Sequence, residues 1–474
     1  MPGYSLGIFY GALTAPPATL RFGNLIFTCM QPMNRWQAYQ ALLFILPLPF
    51  AGNVDWGWSL YSLCCFVVLL LEVNSRVNVM RLKQLPTLAL PSTLIKATPI
   101  IALLLGAQLV VALQLLLGLS SSHHNSYLYF IQGLSLTLFL PLSLLMLESK
   151  ARIKRIIWVI MLAGAFQAIY GSLMVLTGLE WSFFSAKFSY LGKATGTFIN
   201  RNSFAGYMEM CLAIGIGFLL AQGGKRASGD WRQKLRQGIE LLLSSKIIMR
   251  LLLAIMVISL VLSRSRMGNS AFFASLLITG ALALLLMKNK SRSTTILLGS
   301  LLIIDIAIVG TFFGVEKVAQ RLQASSTTHE SRDEVSRDTY NMWQQYPLMG
   351  IGAGTYEHTY PSHKSDDVLS PAIYDHAHND YLQFLAEYGV MAFSFMAVAV
   401  LWCLVWAVQA MRLRRSNLHK GLGFAACMGI TALLIHSTVD FNLQIPANAF
   451  MFVFMLVLAC IARWGPSEQG RRRG

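Results

Sequence analysis

Histidine and arginine carry the chemistry that the apolar bulk of this chain does not need. His376 and His378 open the run DHAHNDYLQFLAEYGV, residues 375 to 390. An imidazole can take up or release a proton near neutral pH. Leu382 and Leu385, with Phe384 and Tyr388, have helical spacing, and beyond Gly389 the chain stays apolar for about twenty residues, enough to cross a bilayer. The spacing therefore holds a titratable ring at a membrane surface, with His376 read as a neighbour of His378 and not as a participant.

Arginines recur near other apolar stretches: Arg201 in Asn200-Arg201-Asn202, Arg264 and Arg266 in SRSRMG, and Arg332 and Arg337 in a polar run. An arginine left unpaired at membrane depth is costly and calls for an anionic partner. Guanidinium forks match phosphate oxygens, so arginines converging at a membrane surface point to a lipid-linked phosphate or diphosphate. Positive charge placed there can stabilise a leaving diphosphate without a metal ion. No DxD or clustered carboxylate set is present, and neither a metal site nor a cofactor is expected. The bland alternatives are snorkelling for Arg264 and Arg266, pairing of Arg332 and Arg337 with Asp333, Glu334 or Asp338, and a satisfied interfacial role for His378.

The elements that position these groups follow from composition. The 474 residues are 55% hydrophobic and 12% charged, where a soluble protein has about 25% charged residues. The deficit indicates an all-α integral membrane protein. Apolar stretches fall at about 37–53, 56–73, 97–118, 128–147, 156–177, 203–221, 247–263, 270–287, 295–314, 389–410, 421–437 and 445–462, twelve in all. The first carries Pro47 and Pro49 and is expected to kink or to pair tightly with the second. The first 35 residues lack the pattern of a cleaved signal peptide. Of the seven cysteines, six lie in apolar spans, which is neither a disulfide framework nor a zinc spacing.

The net charge of +17 is mostly topogenic. With the N-terminus in the cytoplasm, segments 1–36, 74–96, 148–155, 222–250, 288–293, 411–420 and 463–474 hold 28 of the 38 basic residues. That is the positive-inside distribution, with both termini cytoplasmic, and it leaves no case for nucleic-acid binding. The basic residues on the outer side include Lys193, Arg201, Arg264, Arg266, Arg332 and Arg337. The chain divides into helices 1–314, a long outer loop 315–388, and helices with a basic tail 389–474. Within the loop, Val335, Thr339, Tyr340, Met342 and Trp343 predict one amphipathic helix ending at Pro347, followed by a flexible glycine turn, GIGAGTY. No strand precedes that turn, so it is not a dinucleotide fingerprint.

These elements resemble the O-antigen ligase and polymerase superfamily. The likeness rests on HNDYLQFLAEYG at 378–389, on Arg332 ahead of PLMGIGAG, on SRSRMG at 263–268, on GTFINRNSFAGY at 196–207 and on HSTVDFNLQIPAN at 436–448. Together they cover about half the chain. The resemblance implies a metal-independent, inverting membrane glycosyltransferase with a GT-C-like fold, acting in the bacterial inner membrane on its periplasmic side. The donor is then a glycan on undecaprenyl diphosphate and the acceptor lipid A-core or another glycan, among membrane lipids. His378 becomes the general base, and Arg266 and Arg332 bind or neutralise the diphosphate. Arg201, Arg264, Arg337, Lys193 and Asn379 complete the substrate-binding set.

Ligation to lipid A-core, polymerisation of the same lipid-linked glycan and protein O-oligosaccharyl transfer all use this chemistry. Transport of the lipid is a different class. It requires charge along a central path, whereas these spans are nearly free of charge.

Overall fold

The computed structural model describes residues 34–84, 87–88, 90–183, 185–222, 245–288, 295, 299–300, 332–368 and 374–466. Among them nine helices are long and apolar enough to cross a membrane: α2 (Asp55–Leu82), α3 (Ser92–Leu116), α4 (His123–Met146), α5 (Lys150–Thr177), α6 (Arg201–Ala221), α8 (Arg266–Leu286), α11 (Asp380–Leu413), α12 (Asn417–His436) and α13 (Pro446–Trp464). The eighteen-residue helix α7 (Ser245–Leu262) occupies the seventh predicted stretch. The ninth, 295–314, lies almost wholly outside the described residues. So does the first part of the outer loop.

The first stretch breaks at its prolines, as expected. A capping box between Asn34 and Gln37 starts α1 (Arg35–Ile45), only eleven residues long. The prolines at 47 and 49 cannot donate to a helical ladder. The chain therefore turns there, passes through a short 3-10 segment at Phe50–Gly52, and re-enters as α2. The described residues contain one small antiparallel hairpin, β1 (Trp181–Ser182) with β2 (Ser185–Ala186), between α5 and α6. Glu180 and Lys187 close it with an ion pair at 2.9 Å.

Helices α6, α12 and α13 form the buried centre, and α2, α3 and α11 leave most of their apolar surface outward. The closest packing is between α6 and α12. A Cβ on Gly217 would overlap the backbone of Gly421, and the reverse also holds, so small residues set the helix separation. The six described cysteines are free thiols, five of them buried.

In the loop, α9 (Arg332–Gln345) is the predicted amphipathic helix, but its face is shifted. Val335, Asp338, Thr339 and Met342 are buried, while Tyr340 points outward, 43% exposed. The glycine turn, which leads into the short α10 (Tyr356–Thr359), is likewise packed where flexibility was expected. Gly350, Gly352 and Gly354 all have positive φ, and a Cβ on Gly354 would overlap the Tyr129 ring of α4. Gln114 of α3 donates to the carbonyls of Met349 and Glu387, the latter at 2.9 Å. The N–H groups of Ile351 and Gly352 donate to Ala386 and Glu387 of α11 at 2.9 and 3.1 Å. The turn is thus riveted to the first two turns of α11, which end at Gly389 (φ 65°, ψ 173°).

Candidate active site

Helix α11 starts where the two most chemically loaded segments meet. Asn379 caps it, its Oδ1 accepting from Leu382 N–H at 3.2 Å. The next residue, Asp380, is buried and ties the helix to the segment between α12 and α13. Its N–H donates to the carbonyls of Ser437 and Asp440, and its Oδ2 accepts from the Ser437 hydroxyl (2.7 Å) and Leu443 N–H (3.1 Å). Gln383, one turn on, accepts from Ala377 N–H at 3.1 Å and lies 3.2 Å from His376 Nδ1. The Asp-His-Ala-His turn is therefore held from both sides.

His378 occupies the left-handed region, φ 52°, which a residue with a Cβ rarely adopts. Such strain marks a position fixed by its surroundings, and it clusters at functional sites. The ring packs edge-on against Phe441 with centroids 4.9 Å apart, and Nδ1 lies 3.9 Å from Asp440 Oδ1. That is just beyond hydrogen-bond range, within the looseness common before substrate binds. Asp440 is 2% exposed. Burial alone would push its carboxyl up, but His378 and His436 together hold it below the usual carboxylate range. His376 stacks on the same Phe441 at 4.4 Å. Burial lowers its pKa against the opposing charge of Asp375, so it stays neutral more readily than an exposed histidine.

His378 borders a polar cavity of about 190 Å³ lined also by Asp375, Tyr190, Asn200, Ser203 and Phe441. A cationic rim stands beside it. The guanidinium of Arg201 and the ammonium of Lys193 each lie 5.7 Å from the centroid of Tyr190. Arg201 Nη1 donates to the Arg264 carbonyl at 3.3 Å. Burial lowers the pKa of Lys193, and the like charges of Arg201 and Arg264 lower it further, as expected for one electropositive cluster. The Tyr190 phenol is pushed up by burial and by Asp440, with the charges of Arg201 and Arg332 opposing. Among the described residues Lys193, Arg201, Arg264 and Arg266 form no ion pair with a carboxylate.

Local sequence explains why the rim gathers. Asn200 caps α6, and Ser265 caps α8 by accepting from Gly268 N–H. A Cβ on Gly268 would overlap Ala205, so the first turns of α6 and α8 touch and their leading arginines share one end of the bundle. Arg266, the first residue of α8, is exposed there. Arg337 does not join them. It is exposed and pairs with Asp367 at 2.6 Å, a solvated pair on the outer face of α9. Asn379 serves as a helix cap, which uses its side-chain oxygen for the fold. Among the described residues no set of three His, Cys, Asp or Glu side chains is placed to share a metal ion.

Several site residues escaped sequence reasoning. Asp440 and His436 sit in HSTVDFNLQIPAN and Asp380 in HNDYLQFLAEYG, where local spacing carries no sign of their chemistry. Glu209 is the one acid in stretch 203–221, and an ionisable group inside an apolar span is itself a signal. Glu387 is buried and accepts from Tyr356 N–H at 2.9 Å, fastening the glycine turn to α11.

Residues 251–397 match the family model described as O-Antigen ligase. The match takes in α7, α8, α9, the glycine turn and the first half of α11, and it bears out over that stretch the resemblance read from the sequence. The family comprises membrane-glycosyltransferase-like enzymes acting on lipid-linked glycans. A search of curated proteins finds no match to the chain.

Proposed function

From a chain carrying this O-antigen ligase region, we propose a glycosyl transfer in which a glycan moves from undecaprenyl diphosphate to lipid A-core at the periplasmic face of the inner membrane. The observation that carries the reading is the juxtaposition of His378, backed by the buried Asp440, with Lys193, Arg201, Arg264 and Arg266, which form no ion pair with a carboxylate among the described residues. A sugar hydroxyl is a weak nucleophile and must lose its proton as it attacks the anomeric carbon. His378 takes that proton, and the Asp440 carboxylate stabilises the imidazolium. The C–O bond to the diphosphate breaks on the opposite side of the anomeric carbon, which inverts it. Arg201, Arg264, Arg266, Lys193 and Arg332 hold the charge that develops on the leaving group. The rim needs no metal ion for this, so turnover should persist in EDTA.

A second cavity, about 370 Å³ and almost wholly apolar, lies behind the first turns of α11 and is lined by Tyr381, Phe384 and Tyr388 with residues of α3, α4, α12 and α13. It suits a lipid chain whose head group reaches the site.

Polymerisation draws on the same donor and base, and the glycans that accumulate separate the two readings. A deletion strain holding long polymer on undecaprenyl diphosphate and bare lipid A-core identifies the ligase. Lipid A-core capped with single repeats identifies a polymerase and overturns ligation. The three-part division at 314/315 and 388/389 belongs to the same proposal. A cysteine at Ser362 should react with a membrane-impermeant label from the periplasm.

A further inference from the structure

The site does not end at Asp440. His436, the last residue of α12, is fully buried, and both of its ring nitrogens face carboxylates. Nδ1 lies 2.8 Å from Glu209 Oε1, and Nε2 lies 3.7 Å from Asp440 Oδ2. Glu209 comes from α6, more than two turns below its start, and is also 0% exposed. Four titratable side chains thus run in a line, Glu209, His436, Asp440 and His378, with separations of 2.8, 3.7 and 3.9 Å. Isolated ionised groups are not tolerated in such surroundings, and an intramembrane ionisable pair marks function by default.

The packing is shaped around this pair. A Cβ on Gly268 of α8 would approach Glu209 Oε1 at 3.2 Å. A Cβ on Gly206, one turn before Glu209, would overlap Asn442. Asn448 donates to the Ser203 carbonyl (2.9 Å) and to Asn442 Oδ1 (3.0 Å), which locks α6 to the segment carrying Asp440.

We propose that Glu209 and His436 are positioning residues for the transfer reaction: they form a buried relay that neutralises one charge inside the bundle and leaves the Asp440 carboxylate available to His378. A neutral imidazole can donate through only one nitrogen, whereas an imidazolium donates through both. With a carboxylate 2.8 Å from Nδ1 and a second 3.7 Å from Nε2, the relay takes the His436 ring as doubly protonated. Glu209, His436 and Asp440 then sum to one negative charge, and proton uptake by His378 brings the line to neutrality. Without Glu209, the His436 cation leans on Asp440 alone. Less of that carboxylate then remains to stabilise protonated His378, so the base becomes weaker. The other charged or titratable groups facing His378 are Asp375 and His376 on its own turn, Asp380 at the start of α11 and Tyr190 from the segment before α6, with Arg201 and Arg332 beyond Tyr190. Beside Glu209, α8 presents Gly268, which carries no charge.

The relay rests on the reading of His378 as base, so the test has one arm that needs no turnover. In full-length, histidine-¹⁵N-labelled protein in nanodiscs at pH 7, both ring nitrogens of His436 should show protonated shifts. A neutral tautomer overturns the relay whatever the enzyme's substrate proves to be. In the second arm, kcat is measured from pH 5 to 9 with an undecaprenyl-diphosphate oligosaccharide. Glu209→Gln should lower kcat about ten- to a hundredfold, as loss of an outer-shell carboxylate partner of histidine does elsewhere. It should also move the acid limb of the profile to lower pH by at least about half a unit, with donor KM unchanged. Glu209→Asp keeps the charge and should restore the wild-type limb. A limb that stays in place or moves upward in Glu209→Gln overturns the proposal, even if kcat falls, because a packing defect alone would produce that result. If Glu209→Gln does not fold, the His436 shifts in wild type still decide. His378→Ala with undiminished turnover would instead sink the base assignment and not the charge pair.

Discussion

Cations at the two ends of the helix bundle have different partners. At the end opposite His378, the chain satisfies its own bases. Arg35 and Arg76 flank the buried Glu72 at 2.9 and 2.7 Å, and Arg414 donates to the carbonyls of Arg463 and Gly465 at 3.3 and 2.6 Å. Lys420 donates to the Lys288 carbonyl, and Lys96 and Arg463 sit over the Trp464 ring. Around His378 the buried carboxylates are spent elsewhere. Asp380 and Glu387 accept from backbone, and Glu209 and Asp440 face histidines. Arg201, Arg264 and Lys193 are left with a carbonyl, a ring and one another. A membrane protein needs cations for orientation, and those can be neutralised internally. Cations kept from carboxylates are what the proposed anionic donor requires.

The sharpest break of this comparison is at the base. His378→Ala should lower turnover by about 10²–10⁴ while donor binding persists. His376→Ala, which removes only a stacking partner of Phe441, should cost far less. Steady-state turnover and donor binding on both variants decide, and equal effects would remove the distinction drawn between the two rings.

The next test sets one end against the other. Arg201→Ala should reduce kcat/KM for the lipid-linked donor about ten- to a hundredfold, the scale of one or two lost charge-assisted bonds. Arg463→Ala should leave kcat/KM unchanged and lower only thermal stability. Arg266→Lys keeps charge but loses the fork, so clear impairment there marks a gripped diphosphate. Full activity in Arg266→Ala marks a lipid-facing side chain instead.

Asp440 gives a pH-linked stability effect. Its folded pKa is depressed, so its contribution is present above the ordinary carboxylate value near about 4 and is lost as pH falls toward the folded one. The Tm gap between wild type and Asp440→Asn should therefore be wide at pH 7 and close progressively below about pH 4. A gap that is constant with pH would mean that packing, not charge, links Asp440 to the histidines.

Smaller effects sit in the loop. Gly354→Ala forces a Cβ toward the Tyr129 ring at φ 68° and should destabilise the protein by about 1–3 kcal/mol, readable as a drop in Tm. The smallest effect belongs to Arg337→Ala. Its exposed pair with Asp367 lies away from the rim, and turnover should stay within about twofold of wild type. A large loss would return Arg337 to the donor site.

Periodicity and charge placement determined most of the architecture, because lipid as solvent leaves the backbone few options. Ten of the twelve apolar stretches became long helices among the described residues, and α9 ended before Pro347. His378 and the leading arginines of α6 and α8 were also legible, since ionisable groups at span boundaries are exceptions that composition makes visible. Tertiary structure decided which exceptions meet. Asp440 is sixty-two residues from His378 in the chain, and Glu209 is 227 from His436, so no local spacing could pair them. Partner choice decided that Arg337 turns to Asp367, and three-dimensional packing made the glycine turn rigid. The α1 segment shows the reverse case, in which two prolines overrode an apolar composition. Sequence specifies where a charge lies along a span, whereas only the packed bundle specifies which partner satisfies it.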